Sequence, residues 1–201
     1  MVINSREDFT TLFTALNYEL GVELGSFHGI FASHILNNWA GKLVCVDLFD
    51  RSDNAVLHDT KGFYTHFDKN AVLPTFNRHL ENHTGRLLTV QSDTANAAQF
   101  FPDNHFDFVY IDADHTYESV IKEMTAWYPK LKSKGLFAGH DFLAEFDHTT
   151  KNNEIYQPYN KQEYVGSFGV NTAVMEFTHQ HNLKFYTTNE PYWKSWFWFK
   201  P

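Results

Sequence analysis

The most chemically loaded stretch of the 201-residue chain is Asp112-Ala113-Asp114-His115-Thr116-Tyr117. Three ionisable groups in its first four residues follow directly on a largely apolar run, Phe106-Asp107-Phe108-Val109-Tyr110-Ile111. Charge at the rim of a dry strand serves two chemistries: divalent-cation binding and proton transfer to or from a bound substrate. The plainer reading makes Asp114 or Thr116 a helix N-cap and leaves His115 on the surface. An acid and an imidazole also meet at His140-Asp141, which closes the run Gly135-Leu136-Phe137-Ala138-Gly139.

Two more acids stand where strands should end: Glu23, just before Gly25, and Asp47, after Leu43-Val44-Cys45-Val46. An open α/β sheet binds ligands beyond the carboxyl ends of its strands, so Glu23, Asp47, Asp112 and Asp141 are expected to line one crevice. Glu23-Leu24-Gly25-Ser26-Phe27-His28-Gly29 approaches the dinucleotide fingerprint, but Phe27 stands where its middle glycine would meet a pyrophosphate. An adenosyl cofactor with an amino-acid tail fits such a turn better; a tight turn with no ligand is the alternative. Asp47, about two dozen residues on, suits ribose hydroxyls. Ser92-Asp93 either meets an adenine amino group or caps the following helix.

The elements that must position these residues alternate between short β-rich runs and longer helical stretches, which favours a parallel sheet built from α/β units. Strands are expected at Gly21–Gly25, Leu43–Asp47, Arg86–Gln91, Phe106–Asp112 and Gly135–Asp141. Helices are expected from about Gly29 to Trp39, from Phe63 to about His83 with a disturbance at Pro74, from Asp93 to Phe101, over Thr116–Lys132 and near Val170–His181. Leu183–Thr187 and Ser195–Phe199 are expected to pair as an antiparallel hairpin at the sheet edge. The polar run Asp147–Glu163, with Tyr156 and Tyr159, is either a lid over the crevice or a surface loop.

Composition narrows the partners. A net charge of −8 argues against a broad nucleic-acid or anionic-membrane surface, since both require clustered Lys and Arg. Aromatic residues make up 17%, enough for a ring-rich core and sites shaped by ring faces. The one cysteine, Cys45, lies in an apolar strand, and the first eight residues are too polar for a signal peptide, so a soluble cytoplasmic protein forming one domain over residues 1–201 is expected. His79 and His83, four apart on one helix, lack an evident third metal ligand and read as a solvated face. Trp193, Trp196 and Trp198 read as core and edge packing ahead of a homodimer contact.

The motifs Glu23–Gly29, Val46-Asp47, Phe106–Tyr117 and Gly135–Asp141 occur in the order found in class I methyltransferases that use S-adenosylmethionine (SAM), and the chain resembles that family. The likeness is greatest to a branch of small bacterial proteins with an Asp-Ala-Asp-His signature, which the Gly169-Val170 helix and the aromatic last strand also resemble. The resemblance implies a Rossmann-like α/β sandwich on a seven-stranded, mainly parallel sheet whose last strand is antiparallel. It implies that Glu23, Gly25, Ser26 and Gly29 line the methionine end of SAM, that Asp47 holds the ribose, that Asp93 lies near adenine, and that Asp112 borders the cofactor. Metal-dependent catechol-type relatives carry an Asp at the end of the fourth strand and an Asp-Asn pair at the end of the fifth. Asp112 and His140-Asp141 stand at those places, so magnesium or another divalent metal is expected on Asp112, His140 and Asp141, with the imidazole favouring softer metals.

The expected activity is methyl transfer from SAM to a small-molecule acceptor, a sugar or other hydroxyl compound, with Asp112 and either His115 or His140 in catalysis and His115 favoured as the base. A histidine at the helix start that contacts only cofactor or solvent is the competing reading of His115. Two rival functions are a non-catalytic SAM-binding module and an NAD-dependent oxidoreductase, the latter disfavoured by Phe27.

Overall fold

In the computed structural model, which describes residues 2–49, 69–143, 155–156, 163–164 and 169–201, the strands alternate their side chains between two helical layers. In chain order the elements are α1 (Phe9–Ala15), β1 (Leu20–Leu24), α2 (Ile30–Asn38), β2 (Lys42–Asp47), α3 (Val72–Leu80), β3 (Leu87–Gln91), α4 (Thr94–Ala97), β4 (Phe106–Ile111), α5 (Tyr117–Trp127), β5 (Leu131–Leu143), β6 (Ile155–Tyr156), β7 (Glu163–Tyr164), α6 (Val170–Gln180), β8 (Tyr186–Thr187) and β9 (Trp193–Phe199). One sheet has the order β3-β2-β1-β4-β5-β9-β8, and β6 pairs with β7 separately. The first five strands are parallel; β9 is antiparallel to both β5 and β8. The expected seven-stranded, mainly parallel sheet and its antiparallel final hairpin are therefore present.

Period-two patterning splits the core in two. Val22, Leu24, Val44, Val46, Trp196 and Trp198 face α4, α5 and α6, while Cys45, Phe108, Tyr110, Leu136 and Phe197 face α1, α2 and α3. Glu23 shares the second face, in register with Cys45 and Tyr110 on its flanking strands. Helix α1, which the sequence pattern did not disclose, is held there by Phe13 stacked on Phe108 at 3.8 Å and Phe9 edge-on to Tyr110 at 6.0 Å. Trp196 and Trp198 are core residues, as expected.

The boundaries differ from expectation in informative ways. Pro74 lies in the first turn of α3, where a missing amide hydrogen costs no intrahelical bond, so it disturbs nothing. The helix expected to run to Lys132 ends at Trp127, continues as a 3₁₀ turn through Pro129, and yields to β5 at Leu131. β5 also runs past Asp141 to Leu143 across a register shift between Gly139 and Phe142. Positions 63–68 of the expected third helix lie outside the described residues. No helix among the described residues is long and apolar enough to cross a membrane.

Candidate active site

The turn between β1 and α2 needs glycine at two positions. Gly25 has φ +87° and Gly29 φ +75°, both left-handed values that favour glycine. A Cβ on Gly25 would lie 2.0 Å from the Asp112 carbonyl oxygen, so β1 and β4 meet here with no room for a side chain. Phe27 also adopts positive φ, at +45°, and its amide donates to Asp47 Oδ2 at 2.8 Å while the Phe49 amide donates to Oδ1 at 2.7 Å. Asp47, 1% exposed, thus ties the β1 and β2 turns together beneath the crevice.

Glu23 is 2% exposed. Its Oε2 accepts from Ser26 Oγ at 2.6 Å and from the Cys45 thiol at 3.7 Å. Burial pushes the Glu23 carboxyl up to about 7, against the Ser26 hydrogen bond that favours the ion. An acid poised in this way gains most from a cationic ligand, which restores the charge that burial opposes.

Across the crevice, β4 and β5 bring Asp112, His115 and Asp141 together. His115 Nε2 lies 2.7 Å from Asp141 Oδ2 and 3.6 Å from Asp112 Oδ1, and His140 Nδ1 lies 2.9 Å from Asp141 Oδ1. Asp141 has φ +61° at the β5 register shift; this strained, bulged position turns its carboxylate towards the loop after β4. Burial opposes the Asp141 charge, but the two imidazoles outweigh it and hold the carboxyl well below its ordinary range. Burial likewise opposes a charged His140, and the Asp141 carboxylate overcomes it to raise the imidazole above its usual value.

The capping part of the plainer reading of the Asp112–Tyr117 motif is present, on Asp114 and Thr116. Asp112 and His115 face the crevice, while Asp114 accepts from the Thr116 amide at 3.0 Å and from Ser119 Oγ at 3.0 Å, and Thr116 caps α5 through the Ser119 amide at 3.3 Å. The His115 carbonyl accepts from the Gly169 amide at 2.7 Å, which fixes the loop to the start of α6. Asp93 caps α4 through the Asn96 amide at 2.8 Å and keeps an exposed carboxylate at the edge of the sheet. His79 is on an exposed helix face with Nδ1 2.7 Å from the His28 carbonyl, and makes no metal pair with His83 among the described residues. The expected lid, 147–163, lies outside the described residues except for parts of β6 and β7.

The three ligand atoms of Asp112, His115 and Asp141 lie within 4.8 Å of one another. Two carboxylates and an imidazole form a donor set that suits a divalent cation, with the nitrogen shifting preference towards transition metals. The expected set was Asp112, His140 and Asp141; the structure groups Asp112 and Asp141 with His115, while His140 lies against the other oxygen of Asp141. Two participants were not anticipated. Arg6 donates from Nη1 to Asp112 Oδ2 at 3.1 Å, and Glu123 is buried on α5 with Thr94 Oγ1 donating to its Oε1. Glu123 had a visible signal, since it stands between Val120 and Trp127 on the apolar helix face; Arg6 had none.

A doubly layered α/β sheet with a glycine turn after β1 and acids at the ends of β1, β2, β4 and β5 defines a Rossmann-like ligand-binding enzyme fold. The chain belongs to the family described as a methyltransferase domain, which matches residues 19–142. Solved structures agree in fold. One is the O-methyltransferase from Bacillus cereus in complex with SAH, with TM-score 0.63 and 13% identity over 96% of this chain and 80% of that one. Another is the O-methyltransferase NovP, with TM-score 0.62 and 16% identity over 96% of this chain and 77% of that one. A third, the O-methyltransferase TomG from Streptomyces achromogenes in complex with SAM, has TM-score 0.60 and 9% identity over 97% of this chain and 79% of that one. No curated protein sequence matches the chain.

Proposed function

We propose that this methyltransferase domain moves the methyl group of SAM to a hydroxyl oxygen of a small molecule. The observation that carries the reading is the convergence of buried Glu23 and Asp47 on one side of the crevice with the Asp112, His115 and Asp141 cluster on the other. The reading is supported by the family match and by solved O-methyltransferases of the same fold bound to SAM or SAH. We place the chain in the branch with the Asp-Ala-Asp-His signature and treat residues 1–201 as one cytoplasmic catalytic domain.

In this reading the ribose hydroxyls meet Asp47, adenine lies near Asp93, and the methionine ammonium meets Glu23 beside Ser26. Gly25 and Gly29 line the same end of the cofactor. The acceptor oxygen attacks the methyl carbon opposite sulfur; the C–S bond breaks with its electron pair left on sulfur, and SAH departs. Alignment of oxygen, carbon and sulfur supplies much of the acceleration. The acceptor proton passes to the His115 imidazole, whose Nε2 faces Asp141 and whose positive charge that carboxylate stabilises. A divalent cation on Asp112, His115 and Asp141 would instead acidify the acceptor hydroxyl.

Calorimetric titration of SAM and, separately, NAD, each with magnesium and with EDTA, tests the cofactor. Saturable SAM binding that is lost in Glu23→Ala or Asp47→Ala is expected. Labelled-methyl transfer into a metabolite pool then separates an enzyme from a non-catalytic SAM-binding module, which would bind SAM and yield no methylated product.

A further inference from the structure

Among the described residues, acids at the strand ends outnumber the Lys and Arg paired with them. Among the described residues, Arg6 is the one Lys or Arg in an ion pair with the acids that end β1, β2, β4 and β5. It comes from the turn before α1, on the opposite side of the sequence from Asp112, and its side chain is 26% exposed. The guanidinium lies 4.9 Å from the Phe31 ring centroid, a cation–π contact with α2. Its Nη1 donates to Asp112 Oδ2 at 3.1 Å, its Nε lies 3.8 Å from Glu7 Oε1, and Nη2 has no hydrogen-bond partner among the described residues. A guanidinium has five donors in a planar fork matched to a carboxylate, so much of this one remains available.

We propose that Arg6 receives the α-carboxylate of the cofactor's methionine end and makes the pocket selective for the amino-acid zwitterion; this rests on the SAM reading above. Arg6 lies within electrostatic reach of Glu23, so a negative and a positive group serve the same end of the crevice, the complement of an ammonium and a carboxylate on one carbon. Its position selects the methionine end. Asp112 borders Gly25, whose backbone leaves no room between it and the Asp112 carbonyl, and Glu23 lies on the same sheet face as the α2 layer that carries Phe31. The ribose acid Asp47 belongs to the next strand outward. A carboxylate on the methyl acceptor is the other source for the same chemistry.

The test compares SAH with its analogue lacking the carboxylate, 5′-(3-aminopropylthio)-5′-deoxyadenosine, by calorimetry on the full chain. Wild-type protein is expected to prefer SAH by about tenfold or more, the range of a charge-assisted bidentate contact. Arg6→Met should lose most of that preference by weakening SAH alone, and Arg6→Lys should keep part of it. The ratio guards against a trivial fold defect, because a damaged pocket weakens both ligands together. An unchanged ratio in Arg6→Met overturns the inference while leaving the SAM reading intact. An unchanged ratio together with a raised acceptor KM also overturns it and assigns Arg6 to the acceptor. No binding of either ligand by wild-type protein fails the SAM reading itself, and this inference with it.

Discussion

His115 Nε2 lies 2.7 Å from Asp141 Oδ2, although the two residues follow different strands and Asp141 has φ +61°. A base held in this way needs its partner for orientation and for stabilising the charge it acquires. His115→Ala and Asp141→Asn should each lower kcat by on the order of 10²–10⁴, the usual contribution of a positioned base. SAM affinity, measured by calorimetry, should change by less than about threefold, because neither residue belongs to the ribose or adenine side. A kcat within a factor of two of wild type in His115→Ala would remove it from the chemistry.

Gly25 makes a sharper structural prediction. Alanine there meets both a left-handed φ and a carbonyl oxygen 2.0 Å from its Cβ. Gly25→Ala should lower the melting temperature by on the order of 10 °C and abolish measurable SAM binding. Gly85→Ala is the control, since nothing lies within 4 Å of its added carbon, and should melt within about 2 °C of wild type. Equal melting of the two variants would show that the β1–β4 junction relaxes freely.

The Glu23 carboxyl, pushed up to about 7 by burial, links cofactor affinity to pH. An ammonium group favours the ionised acid, so SAH affinity should climb as pH rises from about 6 and level off above about 8, with a limiting slope of roughly tenfold per pH unit. Glu23→Gln should bind more weakly and lose this component of the slope. In the unliganded protein the same shift acts against folding: stability declines as pH rises from the ordinary carboxylate range through about 7. Calorimetry at pH 6, 7 and 8 on both proteins decides the matter; parallel curves would exclude Glu23 as the ammonium acceptor.

The fold was legible because its signals are local. Alternation in Leu43–Asp47 and Phe106–Ile111, the glycines at 25 and 29, and the acids directly after these runs each need only a few residues to be seen. What escaped the sequence depends on contacts between distant segments or on competition between neighbours. The Arg6–Asp112 pair spans 106 positions. The division of labour inside Asp112–Thr116 could not be read from composition, because Asp114 and Asp112 are the same residue type and only the loop's path sends one to α5 and the other to the crevice. His140 and His115 were alternatives for one place; the β5 bulge at Asp141 puts a different carboxylate oxygen against each.

Glu123 provides a test that does not depend on any ligand. It is buried on α5, its Oε2 has no hydrogen-bond partner among the described residues, and burial raises its carboxyl to about 8 despite the bond from Thr94. Below the ordinary Glu range the acid is protonated in both folded and unfolded chains. Between that range and about 8 the folded chain retains a proton that the unfolded chain releases, so stability falls with rising pH and the whole penalty stands above about 8. Glu123→Gln mimics the protonated acid and still offers Oε1 to Thr94. It should therefore melt close to wild type at pH 5 and higher at pH 8.5 by on the order of 5 °C, equivalent to roughly 2 kcal/mol. Thermal melts at the two values check this. A variant destabilised equally at both would mean that the carboxyl makes a native interaction which glutamine cannot replace, and that its charge state does not govern the α4–α5 contact.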